Sequence, residues 1–176
     1  DLKHFLQELA PYQADFLGLN PIHALFPANP DGASPYSPSS RKWLNVIYID
    51  VNQLPEFQQS DSAQKWFASA EVQHQLSDLR AAEWVNYGKV LPLKLKGLRF
   101  AFDEFKQNST ALSQQASADF VREGGESLQV QATFDALHAH LSSRYAAQWG
   151  WDFWAPQFRD YHSETVAQFR HQYGEE

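Results

Sequence analysis

The chain has 176 residues, 15% of them aromatic, with a net charge of −7 and a pI near 5.4. That length allows one domain with a sizeable core, and the acidic balance argues against a nucleic-acid partner. No apolar run reaches the roughly 18 residues of a membrane-spanning helix, and the absence of cysteine excludes a disulfide scaffold or thiolate metal site and fits a reducing, cytoplasmic setting.

Asp1 is placed to cap a helix with Leu2, Phe5, Leu6 and Leu9 on one face, ended by Pro11. Residues 16–20 read as a buried strand stopped by Pro21, and a helix feeding a short apolar strand is the unit of a parallel sheet or barrel. Residues 21–45 form a long loop stiffened by Pro21, Pro27, Pro30, Pro35 and Pro38; ordered loops of that length are usually functional. Residues 46–51 read as a second strand.

Helical patterning follows. Ser60 or Asp61 caps a helix carrying Trp66 and Phe67, and residues 71–82 form another on Val72, Leu76 and Leu79. Over residues 90–107, Leu91, Leu95, Leu98, Phe102 and Phe105 recur as one helix face, with Pro92 in the first turn. A polar link over 108–116 leads to a short helix around Phe120 and Val121, terminated by Gly124-Gly125. The next helix, 127–142, turns Val130, Phe134, Leu137 and Leu141 inward. An aromatic loop over 149–154 precedes a last helix opened by Ser163, which reaches the C-terminal end without a clear cap. That ending, the lack of an initial Met and Asp1 already at a cap position make a piece of a longer polypeptide the expectation.

The run Ser34-Pro35-Tyr36-Ser37-Pro38-Ser39-Ser40 has the composition of a sugar site: an aromatic face, hydroxyls and prolines. His23, directly after the first strand and inside the proline loop, is open to ligand contact or to a structural role. The carboxylates form no convincing pair for glycosidic cleavage. Asp50 closes a strand and suits a structural hydrogen bond, whereas Asp103-Glu104 lies on a solvated helix face. Residues 158–162 have the wrong spacing for an arginine-aspartate-histidine cluster. His138 and His140 point to different helix faces, so no metal site is expected, and the loop serines lack a triad. The aromatic loop 149–154 suits either a secondary glucan platform or packing of a helical hairpin.

Residues 16–51 resemble the first barrel strand and following loop of the amylomaltases, the 4-α-glucanotransferases of glycoside hydrolase family 77. The resemblance rests on Leu19-Asn20-Pro21-Ile22-His23-Ala24-Leu25, on Ala33-Ser34-Pro35-Tyr36-Ser37-Pro38-Ser39-Ser40-Arg41 and on Trp43-Leu44-Asn45-Val46-Ile47-Tyr48-Ile49-Asp50-Val51. It extends to Val85-Asn86-Tyr87, Phe134-Asp135-Ala136-Leu137 and Trp149-Gly150-Trp151, and thus over essentially the whole chain. It implies transfer of α-1,4-glucan segments between maltooligosaccharides through a covalent glycosyl-enzyme, with retention of configuration and no metal or cofactor. It also implies substrate contacts at Tyr36, Ser34, Asn20 and His23. The family's arginine-x-aspartate-histidine, glycine-glutamate-aspartate and histidine-aspartate motifs are missing; Gly125-Glu126-Ser127 lacks the final aspartate. No residue of the chain is therefore assigned a catalytic role.

The expected fold is mostly α with a few short β-strands: a partial (β/α)₈ barrel segment over residues 1–55 and a helical insertion over 56–176. The expected function is part of a 4-α-glucanotransferase, inactive by itself and prone to self-association through uncovered apolar faces. A non-catalytic glucan-binding module and a barrel hydrolase using the same loop are the competing readings.

Overall fold

The computed structural model describes residues 2–144 and 150–174, and these are mostly helical with one small sheet. The proposed cap Asp1, and Trp149 of the aromatic loop, lie outside the described residues. Helix α1 (Leu2–Leu9) forms on the expected apolar stripe, yet Leu2, Phe5 and Leu6 remain exposed.

Both strands read on either side of the proline loop are corrected. Residues 16–20 are irregular, and Phe16 is 88% exposed; no neighbouring strand supplies them with a hydrogen-bonding ladder among the described residues. Residues 46–51 enter two short 3₁₀ turns, Val46–Tyr48 and Val51–Gln53. The Asn45 side chain accepts the Ile47 amide at 3.0 Å, a local bond that competes with extended pairing. The sheet lies instead inside the stretch read as loop. Strand β1 (His23–Ala24) pairs antiparallel with β2 (Ser40–Leu44), His23 opposite Leu44 and Ala24 opposite Ser40, with a register irregularity between.

Three short helices follow: α2 (Pro55–Gln59), α3 (Asp61–Phe67) and α4 (Ala70–Ala81). Ser60 and Ser69 cap α3 and α4 by accepting the Ala63 and Val72 amides. Helix α5 (Tyr87–Asn108) is capped by Asn86 and begins earlier than its apolar pattern, so Pro92 lies inside it rather than in its first turn. Its buried face is also rotated from the expected one. Leu91, Gly97 and Ala101 are buried, while Leu95 and Phe102 are exposed. Small residues are selected because other side chains come close. A Cβ at position 97 would fall 2.8 Å from Val51 Cγ1 and 3.5 Å from the Phe57 ring. One core is centred there on Phe57, Ala63 and Ala101, with Val51, Leu54, Trp66, Phe67 and Phe100 packed around it.

Helix α6 (Ala111–Arg144) starts inside the segment read as a polar link, because Thr110 accepts the Ser113 amide at 3.2 Å. It is broken at Gly125, where φ is 52° and ψ is −147°, a backbone region essentially restricted to glycine. Beyond the break, Leu137 and Leu141 join Trp154, Val166 and Phe169 in a second core with α7 (Glu164–Tyr173). Ser163 caps α7 through the Val166 amide at 3.2 Å and donates its hydroxyl to Gln157 O at 2.7 Å. Ser163→Ala is expected to cost about 1 kcal/mol in urea unfolding; an unchanged midpoint would show that the cap contributes nothing.

Candidate functional site

The loop between β1 and β2 is a succession of tight turns, not open coil. Asn29 donates its amide to Phe26 O, Gly32 to Asn29 O and Ser37 to Ser34 O. The last of these closes Ser34-Pro35-Tyr36-Ser37 into a β-turn with proline in its second position, where its fixed φ is already suitable. Tyr36 therefore stands at a turn apex and is 70% exposed. Its hydroxyl donates to Asn20 Oδ1 at 2.9 Å. One hydrogen bond thus brings together two of the residues singled out in the sequence, sixteen positions apart.

The other two occupy different settings. Ser34 is exposed and contributes its backbone carbonyl to the turn. His23 lies half-buried in β1, with a buried Nδ1 that has no hydrogen-bond partner among the described residues.

The base of the loop is tied down twice. Phe26 packs edge-on against Phe134, with ring centroids 6.1 Å apart, and against His138 at 5.9 Å. Ser39 donates its amide to Ala24 O at 2.9 Å and its hydroxyl to Leu25 O at 2.7 Å. The same hydroxyl oxygen accepts from Gln131 Nε2 of α6 at 3.3 Å, and that amide also reaches both carboxylate oxygens of Asp135, at 3.1 and 3.2 Å. Gln131 and Asp135 carried no signal as site residues, because their partner lies 92 positions away from Gln131 and their own spacing is that of any helix face.

Burial raises the Asp135 pKa to about 6, and the Gln131 hydrogen bond partly offsets the shift. Since the folded-state value exceeds the ordinary carboxyl value of 3.8, the native state holds this proton more tightly than the unfolded chain does. The resulting stabilisation is complete below about pH 3.8 and is lost as pH rises through about 6. Asp135→Asn keeps an acceptor for Gln131 and removes the buried charge. It is expected to be more stable than wild type by about 2 kcal/mol near pH 7, with the difference vanishing toward pH 4. Urea titrations at the two pH values check this, and an equal difference at both would contradict it.

A cleft of about 440 Å³ opens beside the loop base, walled by Phe26, Pro38, Gln131, Trp151, Trp154 and Tyr161. Trp154 is buried and stacks on Phe134 at 5.4 Å, in keeping with the packing role considered for the aromatic segment, whereas Trp151 is exposed.

The remaining polar candidates have local partners. Lys94 donates to Ile49 O at 2.7 Å; its pKa is lowered by burial, against the opposing effect of Asp50. Lys106 pairs with Asp103 at 3.5 Å, and Asn108 donates to Glu104. Asp160 accepts the His162 amide, and Arg159 donates to Trp154 O. His138 lies among Phe26, Phe134 and Trp154, while His140 packs on Phe169 and Tyr173, so the two face apart. Among the described residues no group of three or more His, Asp or Glu side chains could hold a metal ion. No described helix is long and apolar enough to cross a membrane.

The turn thus presents an exposed, hydrogen-bonded aromatic ring beside a helical scaffold. The sequence model of the 4-alpha-glucanotransferases of glycoside hydrolase family 77 matches residues 1–176, and the chain belongs to that family. It is 34% identical over 165 residues to a curated 4-alpha-glucanotransferase from Haemophilus influenzae. The match covers 90% of this chain, which spans only 24% of that relative's length.

Proposed function

We propose that this chain forms one wall of the substrate cleft of a cytoplasmic 4-α-glucanotransferase, which passes α-1,4-glucan segments from one maltooligosaccharide to another. The observation that carries the reading is Tyr36: an exposed ring at a proline-defined apex, steadied through its hydroxyl by Asn20. An aromatic face so held can stack on the C–H face of a pyranose. Ser34 opens the same turn, and His23, in β1, is assigned a further substrate contact at the start of the loop.

Retaining transfer needs two carboxyl groups about 5–5.5 Å apart. One attacks the anomeric carbon and forms a glycosyl ester while the other protonates the departing 4-oxygen. The second group then deprotonates the 4-hydroxyl of the acceptor, which displaces the ester with net retention. Asp103, Glu104, Asp135 and Asp160 engage local helix and turn partners, Asp50 caps no helix with its side chain, and both groups are assigned to the remainder of the full-length protein. Residues 1–55 are assigned to the start of a (β/α)₈ barrel and residues 56–176 to a helical insertion upon it. The exposed apolar residues Leu2, Phe5, Phe16 and Leu19 are contact surface for the rest of that barrel, and a route to self-association of the chain when isolated.

The test is the distribution of products from maltotriose, using the full-length protein beside the 176-residue chain. Longer oligosaccharides from the former and none from the latter are expected. Products that are only shorter would make the protein a hydrolase, an inert full-length protein would make it a binding module, and turnover by the chain alone would place the catalytic carboxylates within it.

A further inference from the structure

We propose that Gln131 is a positioning residue for the sugar-contacting turn, acting through Ser39 on the placement of Tyr36. The inference rests on the reading of Tyr36 given above and extends it to a residue on a distant helix. Ser39 lies three positions beyond Tyr36, and its one hydroxyl hydrogen is directed at the β1 backbone, to Leu25 O at 2.7 Å with Ala24 O at 3.2 Å. What the Ser39 oxygen can still do is accept, and Gln131 Nε2 donates to it at 3.3 Å. The other hydrogen of that amide points at Asp135, within 3.1 and 3.2 Å of its two oxygens.

Both amide hydrogens are therefore used, and the amide has one favourable orientation. Turned over, its oxygen would face the Asp135 carboxylate on one side and an already committed hydroxyl on the other. The acid thus orients the amide, the amide holds Ser39, and Ser39 holds the backbone on both sides of the turn, since its own amide also donates to Ala24 O. The chain of contacts runs from α6 to the base of the Tyr36 turn across 92 residues of sequence. Phe26 reinforces the same junction against Phe134 and His138, so polar and aromatic contacts anchor the loop base to a single helix.

The full-length protein carrying Gln131→Leu tests this with maltotriose. The expected result is a fall in kcat/KM of about 10-fold, carried chiefly by KM, with helix content unchanged. Ser39→Ala should produce a similar loss and Ser39→Thr, which keeps the hydroxyl, should restore most of it. If Gln131→Leu fails to fold, the Ser39 pair reads the same bridge from its other end. In a Tyr36→Ala background, Gln131→Leu should have little further effect, because its influence passes through Tyr36. Full activity in Gln131→Leu and Ser39→Ala, or losses that simply add to that of Tyr36→Ala, would overturn the proposal while leaving Tyr36 as a sugar contact. An undiminished Tyr36→Ala enzyme would overturn both.

Discussion

Replacing Tyr36 with alanine is expected to lower the kcat/KM of the full-length protein for maltotriose by about 10- to 100-fold. The ring is 70% exposed in the chain, so its apolar face is available to be covered by substrate. Covering an aromatic side chain is worth about 1.5–3 kcal/mol, which corresponds to that range of rates. Because Tyr36 is mostly solvent-facing, the variant should unfold at nearly the wild-type urea concentration. Tyr36→Phe separates ring from hydroxyl. It keeps the stacking face and loses only the hydrogen bond to Asn20 Oδ1, so its deficit should stay below about 10-fold. Asn20→Ala should resemble it. Steady-state kinetics on maltotriose decide the matter: wild-type rates in Tyr36→Ala would remove the tyrosine from the cleft, and an equally large loss in Tyr36→Phe would move the effect from the ring to its hydroxyl.

The largest loss of stability is expected from Phe57→Ala, about 3–5 kcal/mol. Phe57 is 2% exposed and meets Trp66 and Phe67 in edge-on contacts at 6.4 and 5.9 Å. Its neighbours Ala63 and Ala101 are too small to fill the space, and Gly97 offers only backbone beside the ring. Any relaxation must come from the larger neighbours Val51, Leu54, Trp66 and Phe67, and how far they close in sets the place within that range. A loss of that size is a large part of the roughly 5–15 kcal/mol by which a domain is stable. Phe57→Leu should cost appreciably less. Denaturant midpoints of the three proteins measure the series, and a Phe57→Ala midpoint close to wild type would mean that the first core closes over the gap.

The features legible in the sequence were those set by near neighbours. The pattern offers Ser60 or Asp61 and, later, Ser163 as helix starts; Ser60 and Ser163 each accept the amide that a cap should accept. Gly124-Gly125 was read as a stop, and Gly125 breaks α6 with a positive φ. Features that depend on partners distant in sequence were misread. Residues 16–20 and 46–51 are apolar enough for strands, but a strand exists only beside another, and the two segments that do pair, β1 and β2, lie within the proline loop. Large apolar residues alone point to one face of α5, whereas close contact with Val51 and Phe57 selects Gly97 and Ala101. In the site, Tyr36 was conspicuous by composition and its link to Asn20 was not. Gln131 and Asp135 were invisible for the same reason, since nothing in their local spacing indicates that a loop serine lies against them.

The break at Gly125 also bears on how force travels through the molecule. An unbroken α-helix of the 34 residues in α6 would be a rod about 50 Å long, and any push on its solvent-exposed tip would be delivered as torque to the end that holds Gln131 and Asp135. A glycine in a non-helical conformation divides that rod into two arms that need not share an axis. Both arms bear on the β-hairpin, Phe120 of the first against Trp43 and Phe134 of the second against Phe26, so the hairpin that carries the Tyr36 turn is gripped from two directions instead of along one axis.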